Sequence, residues 1–483
     1  MTNPSPRPSP TRGEGELGAA APQSFDAIVI GAGQAGKPLT LELARAGWKV
    51  ALIERDHVGG TCINTGCTPT KTMVASARVA YLARRAADYG VRVEKVGVDQ
   101  VAVRARKRSI VERFRDYGTR SLQTTQNVSL LFGDASFIDA RTVDVKLNEG
   151  GTTRRLTAPK IVINAGGRPA VPPIPGLDQV PFLDSTSVME LAEQPRHLVV
   201  IGGGYIGLEF GQMYRRFGSD VTIVQREPRL IPREDPDVSE AVRKILEEDG
   251  IKVEADAAIE RIERRADGDI EVHFVCQDCT RSVSGSHLLI AIGRRPNTED
   301  LNLGAAGVKV DKAGYVQADD ALQTNVPGIY ALGDVKGGPA FTHISYDDYR
   351  ILRDQWLHKI DARIGDRLVP NTMFIDPQLG QVGLRETEAR ERGLDIRVAR
   401  LKMNGIARAL EMDESRGLVK VVIERKTNRI LGCTVLGVEG GEIMSMLQIA
   451  MMGNLPYTAL KEAIFAHPTL AEGLNNVFLA LDG

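Results

Sequence analysis

Gly59-Gly60-Thr61-Cys62-Ile63-Asn64-Thr65-Gly66-Cys67-Thr68-Pro69-Thr70-Lys71 holds two cysteines in a Cys-x4-Cys spacing. The spacing lets one tight loop bring both sulfurs within disulfide reach, roughly 4.4 to 6.8 Å between Cα atoms. A helix N-terminus just beyond would favour a thiolate through its dipole. Two unrelated buried cysteines are the ordinary alternative, since free cysteine behaves as a small hydrophobe. Here the flanking glycines and the Pro69-Thr70-Lys71 tail favour a redox pair.

Upstream, Phe25 to Ile30 reads as a short strand that runs into Gly31-Ala32-Gly33-Gln34-Ala35-Gly36. A helical pattern over Lys37 to Ala46 then leads to a second strand, Lys49 to Ile53, closed by Glu54. A lone G-x-G-x-x-G is weak evidence. With strand, helix and a carboxylate about twenty residues on, it becomes a dinucleotide fingerprint in which Glu54 accepts from ribose hydroxyls.

Downstream, the pattern restarts. Leu198 to Ile201 precedes Gly202-Gly203-Gly204-Tyr205-Ile206-Gly207, and Val221 to Val224 completes another βαβ unit. Two fingerprints in one chain imply two dinucleotides in adjacent domains. Thr72 to Tyr89 and Val98 to Gln123 read as amphipathic helices. The basic cluster Arg104, Arg106, Lys107, Arg108, Arg113 and Arg115 is expected to form a solvated face. Asp269 to Ile292 reads as a three-stranded meander ending near Gly293. A strand then stops at Gly333-Asp334, where the carboxylate can accept from a ribityl hydroxyl.

With 483 residues the chain exceeds one core. The 61 basic and 62 acidic side chains argue against a nucleic-acid or membrane-surface binder. Five cysteines exclude a secreted disulfide scaffold and suit a cytoplasmic redox pair. Met1 to Ser24, rich in Pro, Ser and Gly without an apolar core, is expected to be a disordered tail.

In combination these motifs, together with His467-Pro468-Thr469 and Glu472, resemble the class I pyridine nucleotide-disulfide oxidoreductases over about Phe25 to Phe478. The family includes glutathione reductase, dihydrolipoamide dehydrogenase and mercuric reductase. The resemblance implies an α/β fold with two Rossmann-like dinucleotide-binding domains, for FAD and NAD(P), and an α+β carboxy-terminal dimerisation domain. The expected segments are 25–172 for FAD, 173–293 for NAD(P), 294–366 as a return to the FAD domain, and 367–483 for dimerisation.

The resemblance also implies site roles. Gly31, Gly33, Gly36, Glu54, Gly60, Thr61, Gly166, Gly333 and Asp334 would hold FAD; Gly202, Gly204, Gly207, Arg226 and Gly293 would complete the cofactor contacts. Cys67 would lie against the flavin and Cys62 would meet substrate. Lys71, partnered by Glu209, would favour negative charge on the reduced ring. Tyr205 would cover the nicotinamide pocket. His467, oriented by Glu472, would act as base for the thiols of the partner in a homodimer, a task imidazole suits near neutral pH.

Gln225-Arg226, with Arg229 nearby, stand where an acidic residue selects the NADH ribose, so NADPH is expected, although Gly207 is more typical of NADH users. Pro339 to Arg350 resembles the mercuric-reductase-like branch that includes reactive-chlorine-resistance Cu(II) reductases. Soft thiolates suit Cu and Hg ions. The expected acceptor is therefore a disulfide or a soft metal ion such as Cu(II) or Hg(II). Dihydrolipoamide dehydrogenation is an alternative, weakened by Phe465 where a second histidine is typical. A flavin-bearing binding protein is another. His343 could be a ligand, a flavin contact or a packing residue. His273, Cys276, Cys279 and His287 could be written as a zinc set, but alternation along a strand turns His273 and Cys276 to opposite faces. Cys433 is expected in the core.

Overall fold

The computed structural model describes residues 21–276 and 279–481. Its first nucleotide unit is built as the spacing predicts: strand Ala27–Ile30, helix α1 (Gly36–Arg45) and strand Val50–Glu54, paired in parallel with Val29 opposite Leu52. The third glycine lets the helix approach, since a Cβ on Gly36 would stand 2.0 Å from the Gly31 carbonyl oxygen. Helix α2 (Gly60–Asn64) and helix α3 (Cys67–Arg84) follow, so Cys67 opens an eighteen-residue helix. Helix α4 (Gln100–Thr124) packs beside α3.

Among the described residues the first sheet has eight strands. Its parallel centre runs Val128–Phe137, Val50–Glu54, Ala27–Ile30, Lys160–Ile163 and Ile329–Ala331. The last of these returns from far along the chain and ends two residues before Gly333. Paired structure begins inside the expected tail: Gln23 and Ser24 pair with Leu156 and Thr157 at the sheet edge, because the neighbouring strand leaves a parallel register open to them. The rest of the expected disordered segment, 1–20, lies outside the described residues.

The second unit repeats the first with strand His197–Ile201, helix α5 (Tyr205–Phe217) and strand Asp220–Val224. A Cβ on Gly207 would again sit 2.0 Å from a fingerprint carbonyl, that of Gly202. The expected meander is displaced. Its strands are Ala258–Arg264, Ile270–Cys276 and Cys279–Gly285, whereas His287–Ile290 joins the parallel sheet beside His197–Ile201. Leu288, Leu289 and Ile290 are all buried, as a strand covered on both faces requires.

Residues 371–437 form a five-stranded antiparallel sheet backed by helix Gly440–Met452. One apolar core joins the parts: Met73 and Ala77 of α3, Leu208 and Phe210 of α5, and Met373 and Ile375 are buried together. That shared core sets how α3 crosses α5. The basic residues of α4 are a solvated face only in part: Arg106, Arg108 and Arg113 are exposed, but Lys107 is not. Lys107 is 3% exposed and pairs with Glu190, which also accepts from Arg108 Nε at 3.0 Å. Arg106 donates to the Thr72 carbonyl and Arg115 to Asn64 Oδ1. These cations tie α4 to its neighbours because lone carbonyls and a carboxylate face it. No helix among the described residues is long and apolar enough to cross a membrane.

Candidate active site

Two helices converge on a cavity of about 720 Å³. On α3, Cys67 and Lys71 are one turn apart and share a face; on α5, Tyr205 and Glu209 do the same. Where the helices cross, Lys71 Nζ donates to Glu209 Oε2 at 2.7 Å. Glu209 is buried and its other oxygen accepts the Phe374 N–H at 2.8 Å. The Lys71 ammonium also lies 4.9 Å from the Phe374 ring centroid. All five of these side chains line the cavity, as does Cys62.

The two sulfurs differ in charge preference. The Cys67 thiol is lowered to about 6, first by the hydrogen bond from Cys62, then by Thr342 and the Lys71 charge, against the effect of burial. Cys62 is pushed up, chiefly because it keeps the proton it shares with Cys67. Thr342, the first residue of helix α6 (Thr342–Arg353) to face the site, places Oγ1 3.2 Å from Cys67 Sγ. Nothing in the sequence announces this contact, since 275 positions separate the partners. His343 hydrogen-bonds the Pro370 carbonyl at 2.7 Å and stacks on Phe341, a packing role at the cavity wall.

At the other end of the cavity lie Gly31, Gly33, Glu54, Gly60, Thr61 and Gly166. The backbones of Gly33 and Gly60 approach so closely that a Cβ on Gly60 would come 2.8 Å from Gly33 Cα. Glu54 accepts the Ala32 N–H at 2.8 Å and the Asp56 N–H at 3.0 Å, leaving lone pairs on both oxygens. Burial raises its carboxyl, with those N–H bonds opposing. Asp334 also faces the cavity and is raised by burial, with Arg294 Nε 3.9 Å away. Gly333 is fixed through its N–H to the buried Asp348 at 2.8 Å, a residue not singled out from the sequence. A cleft lined by glycines, with Glu54 and Asp334 as two carboxylates able to accept from hydroxyls, is a set of residues that would hold an extended dinucleotide. FAD fits these residues.

The second fingerprint stands mostly off this cavity, with only Tyr205 and Ile206 reaching it. The Tyr205 hydroxyl donates to Asn371 Oδ1 at 2.7 Å and lies 3.2 Å from Glu234 Oε1; burial raises it. Gly204 has open space where a side chain would be. Gln225 Oε1 accepts the Gly203 N–H at 2.7 Å across 22 positions, the separation at which Glu54 accepts from Ala32. Gln225 is therefore the counterpart of Glu54. Arg226 is 82% exposed beside Glu227, 2.8 Å away, and Gly202 and Gly293 lie in left-handed backbone.

His467 is outside the cavity lining. Its Nδ1 lies 2.8 Å from Glu472 Oε2, and because a carboxylate only accepts, Nδ1 carries the proton and Nε2 is free to act as a base. The ring is 72% exposed. The zinc set does not assemble: His273 Nε2 is 2.8 Å from Glu263, while Cys276 Sγ donates to the Ala255 carbonyl.

The family model described as pyridine nucleotide-disulphide oxidoreductase matches residues 25–348, and the dimerisation domain of the same family matches residues 369–478. The chain is 39% identical to the probable pyridine nucleotide-disulfide oxidoreductase RclA of Escherichia coli, covering 94% of this chain and 98% of that one. It is 35% identical to the mercuric reductase of Bacillus cereus, over 95% of this chain and 72% of the relative. The solved structure of a Cu(II) complex of the HOCl-induced flavoprotein disulfide reductase RclA from E. coli is similar with a TM-score of 0.87 at 38% identity, over 95% and 99% of the two chains.

Proposed function

Because the chain belongs to the pyridine nucleotide-disulphide oxidoreductases and is an NAD(P)H-dependent flavoprotein reductase of that family, we propose that Cys62 and Cys67 are its redox pair and that a soft metal ion or a disulfide is its acceptor. FAD, when bound, supplies two-electron transfer between the nicotinamide and the thiol pair. The observation that carries the reading is the cavity that both sulfurs share with Lys71, Glu209 and the fingerprint glycines, where Thr342 Oγ1 lies 3.2 Å from Cys67 Sγ. Cys67 is held as thiolate by a hydrogen bond from Cys62, by Thr342 and by Lys71, while Cys62 keeps the proton. Cys62 is the nucleophile toward substrate once that proton is removed.

His467 takes the proton at Nε2, with Glu472 stabilising the imidazolium formed. Since His467 is exposed and away from the cavity, the base serves the thiols of the other chain in a homodimer. Support comes from an apolar surface in the dimerisation domain, where Ile449 and Met452 are 69% and 67% exposed. The glycines and Glu54 hold the FAD adenosine and phosphates, Asp334 holds the ribityl chain, and Tyr205 covers the nicotinamide pocket. The domain limits proposed are 25–172, 173–293, 294–366 and 367–483, and the setting proposed is the cytoplasm, where a catalytic thiol pair stays reducible.

NADPH is the proposed reductant. Its support is Gln225, a neutral side chain at the position where an acidic one would bind the free ribose hydroxyl, with exposed Arg226 next to it. Replacing Arg226 with Glu should raise the NADPH KM about tenfold or more while sparing that for NADH. A steady-state screen with NADPH against Cu(II), Hg(II), oxidised glutathione and lipoamide tests the acceptor. Preference for lipoamide would overturn the metal-ion reading. Absence of a long-wavelength thiolate absorbance band on NADPH reduction would overturn the role given to Cys67.

A further inference from the structure

Outside the cavity lining, Cys276 and Cys279 form a second pair of thiols. They end one strand and begin the next, and they stand directly opposite each other in the antiparallel ladder. Opposed residues send their side chains to the same face of a sheet, with Cβ atoms about 4.5–5.5 Å apart. Alternation says which face. Ile270, Val272 and Phe274 are buried, and Cys276 continues their row at the rim of the same apolar cluster.

Each thiol currently donates to a carbonyl: Cys276 Sγ to Ala255 at 3.4 Å and Cys279 Sγ to Cys276 at 3.2 Å. Neither is locked in a disulfide, Cys276 is half-buried and Cys279 is exposed. His273 is on the other face with Glu263, and His287 sits in another sheet with Nδ1 3.1 Å from Ser286 Oγ. Zinc needs four ligands, and the described residues offer two sulfurs on this face. Ligand number therefore selects against zinc.

We propose that Cys276 and Cys279 form a two-coordinate site for a soft monovalent cation of the Cu(I) type, separate from the redox pair. Two thiolates complete a linear site, and metal–sulfur bonds of about 2.3 Å span roughly 4.6 Å between the sulfurs. Opposed side chains at a hairpin end reach that separation by rotating about χ1. Binding releases the two thiol protons and moves no electrons, so no oxidant or reductant is required. The half-buried Cys276 supplies a dry side to the ion, and the exposed Cys279 supplies its entry.

The test uses FAD-loaded protein carrying Cys62→Ser and Cys67→Ser, so that the cavity thiols cannot bind the probe. Cu(I), buffered by a competing chelator without oxygen, should load to about one ion per chain, with about two protons released. Adding Cys276→Ser and Cys279→Ser should lower the affinity by at least about 100-fold. The exposed Cys279→Ser alone should do the same, and flavin content and melting temperature report whether each variant is folded. Equal Cu(I) uptake with and without these two thiols would overturn the proposal, as would no uptake by the parent. Cys433 is 1% exposed and buried in the carboxy-terminal core, which keeps it from the probe in folded protein.

Discussion

The chain carries two cysteine pairs, and their settings could hardly differ more. Cys67 opens a long helix, receives a hydrogen bond from Cys62 and from Thr342, and lies near the Lys71 cation. Cys276 and Cys279 end one strand and begin the next, and among the described residues their sulfurs donate to backbone carbonyls. Donors and a cation beside a sulfur favour its thiolate, and Cys67 has both. The difference teaches that a cysteine pair acquires redox chemistry from what surrounds it. Spacing brings sulfurs together; the environment decides which one carries charge.

The sharpest break of this contrast is removal of the sulfurs. Cys67→Ser or Cys62→Ser should lower NADPH-dependent turnover by about 10³-fold or more, read from steady-state kinetics. A residual rate near that of wild type would show that electrons leave by another route. Lys71→Met comes next. It leaves the carboxylate of Glu209, 7% exposed, without its partner beside Cys67. The expected cost is about 1–3 kcal/mol of stability, less than for a fully buried pair because Lys71 is 32% exposed. Thermal melts measure it, and Glu209→Gln in the same background should recover part of the loss.

A smaller effect tests the hydrogen bond that the fold adds. Because the Cys67 thiol is lowered to about 6, its thiolate is present above that pH and is lost as pH falls through it. The rate of alkylation of reduced protein should follow this titration. Thr342→Val should move the midpoint upward, by about 1.5 kcal/mol at most, the lower end of the range for a hydrogen bond to a charged group. An unmoved midpoint would remove Thr342 from the account. Smallest of all, Cys276→Ser with Cys279→Ser should leave kcat and KM within about twofold of wild type, as expected for a site away from the chemistry.

Much of the site is legible because its motifs are local. Gly31 to Gly36 with Glu54, and Cys62 with Cys67, lie within one supersecondary unit, so strand and helix periodicity alone sets their relation. The repeat at Gly202 reads the same way. The meander was harder: Leu288 to Ile290 is a continuous apolar run, the mark of a doubly covered parallel strand, yet periodicity does not say which sheet it joins. The basic face of α4, exposed at Arg106, Arg108 and Arg113 but not at Lys107, shows the same limit. Lys107 and Arg106 find Glu190 and the Thr72 carbonyl 83 and 34 positions away, and a composition pattern carries no such address.

The order of residues by itself determined that two dinucleotides bind and that one thiol pair follows the first fingerprint, since covalent spacing limits what a short loop and helix can do. Only the tertiary structure decided what surrounds each sulfur, that Gln225 is the counterpart of Glu54 in the second unit, and that His467 lies outside the cavity of its own chain. Those outcomes depend on electrostatics and packing, which act through space and fall off over a few ångströms regardless of how far apart the partners lie along the backbone.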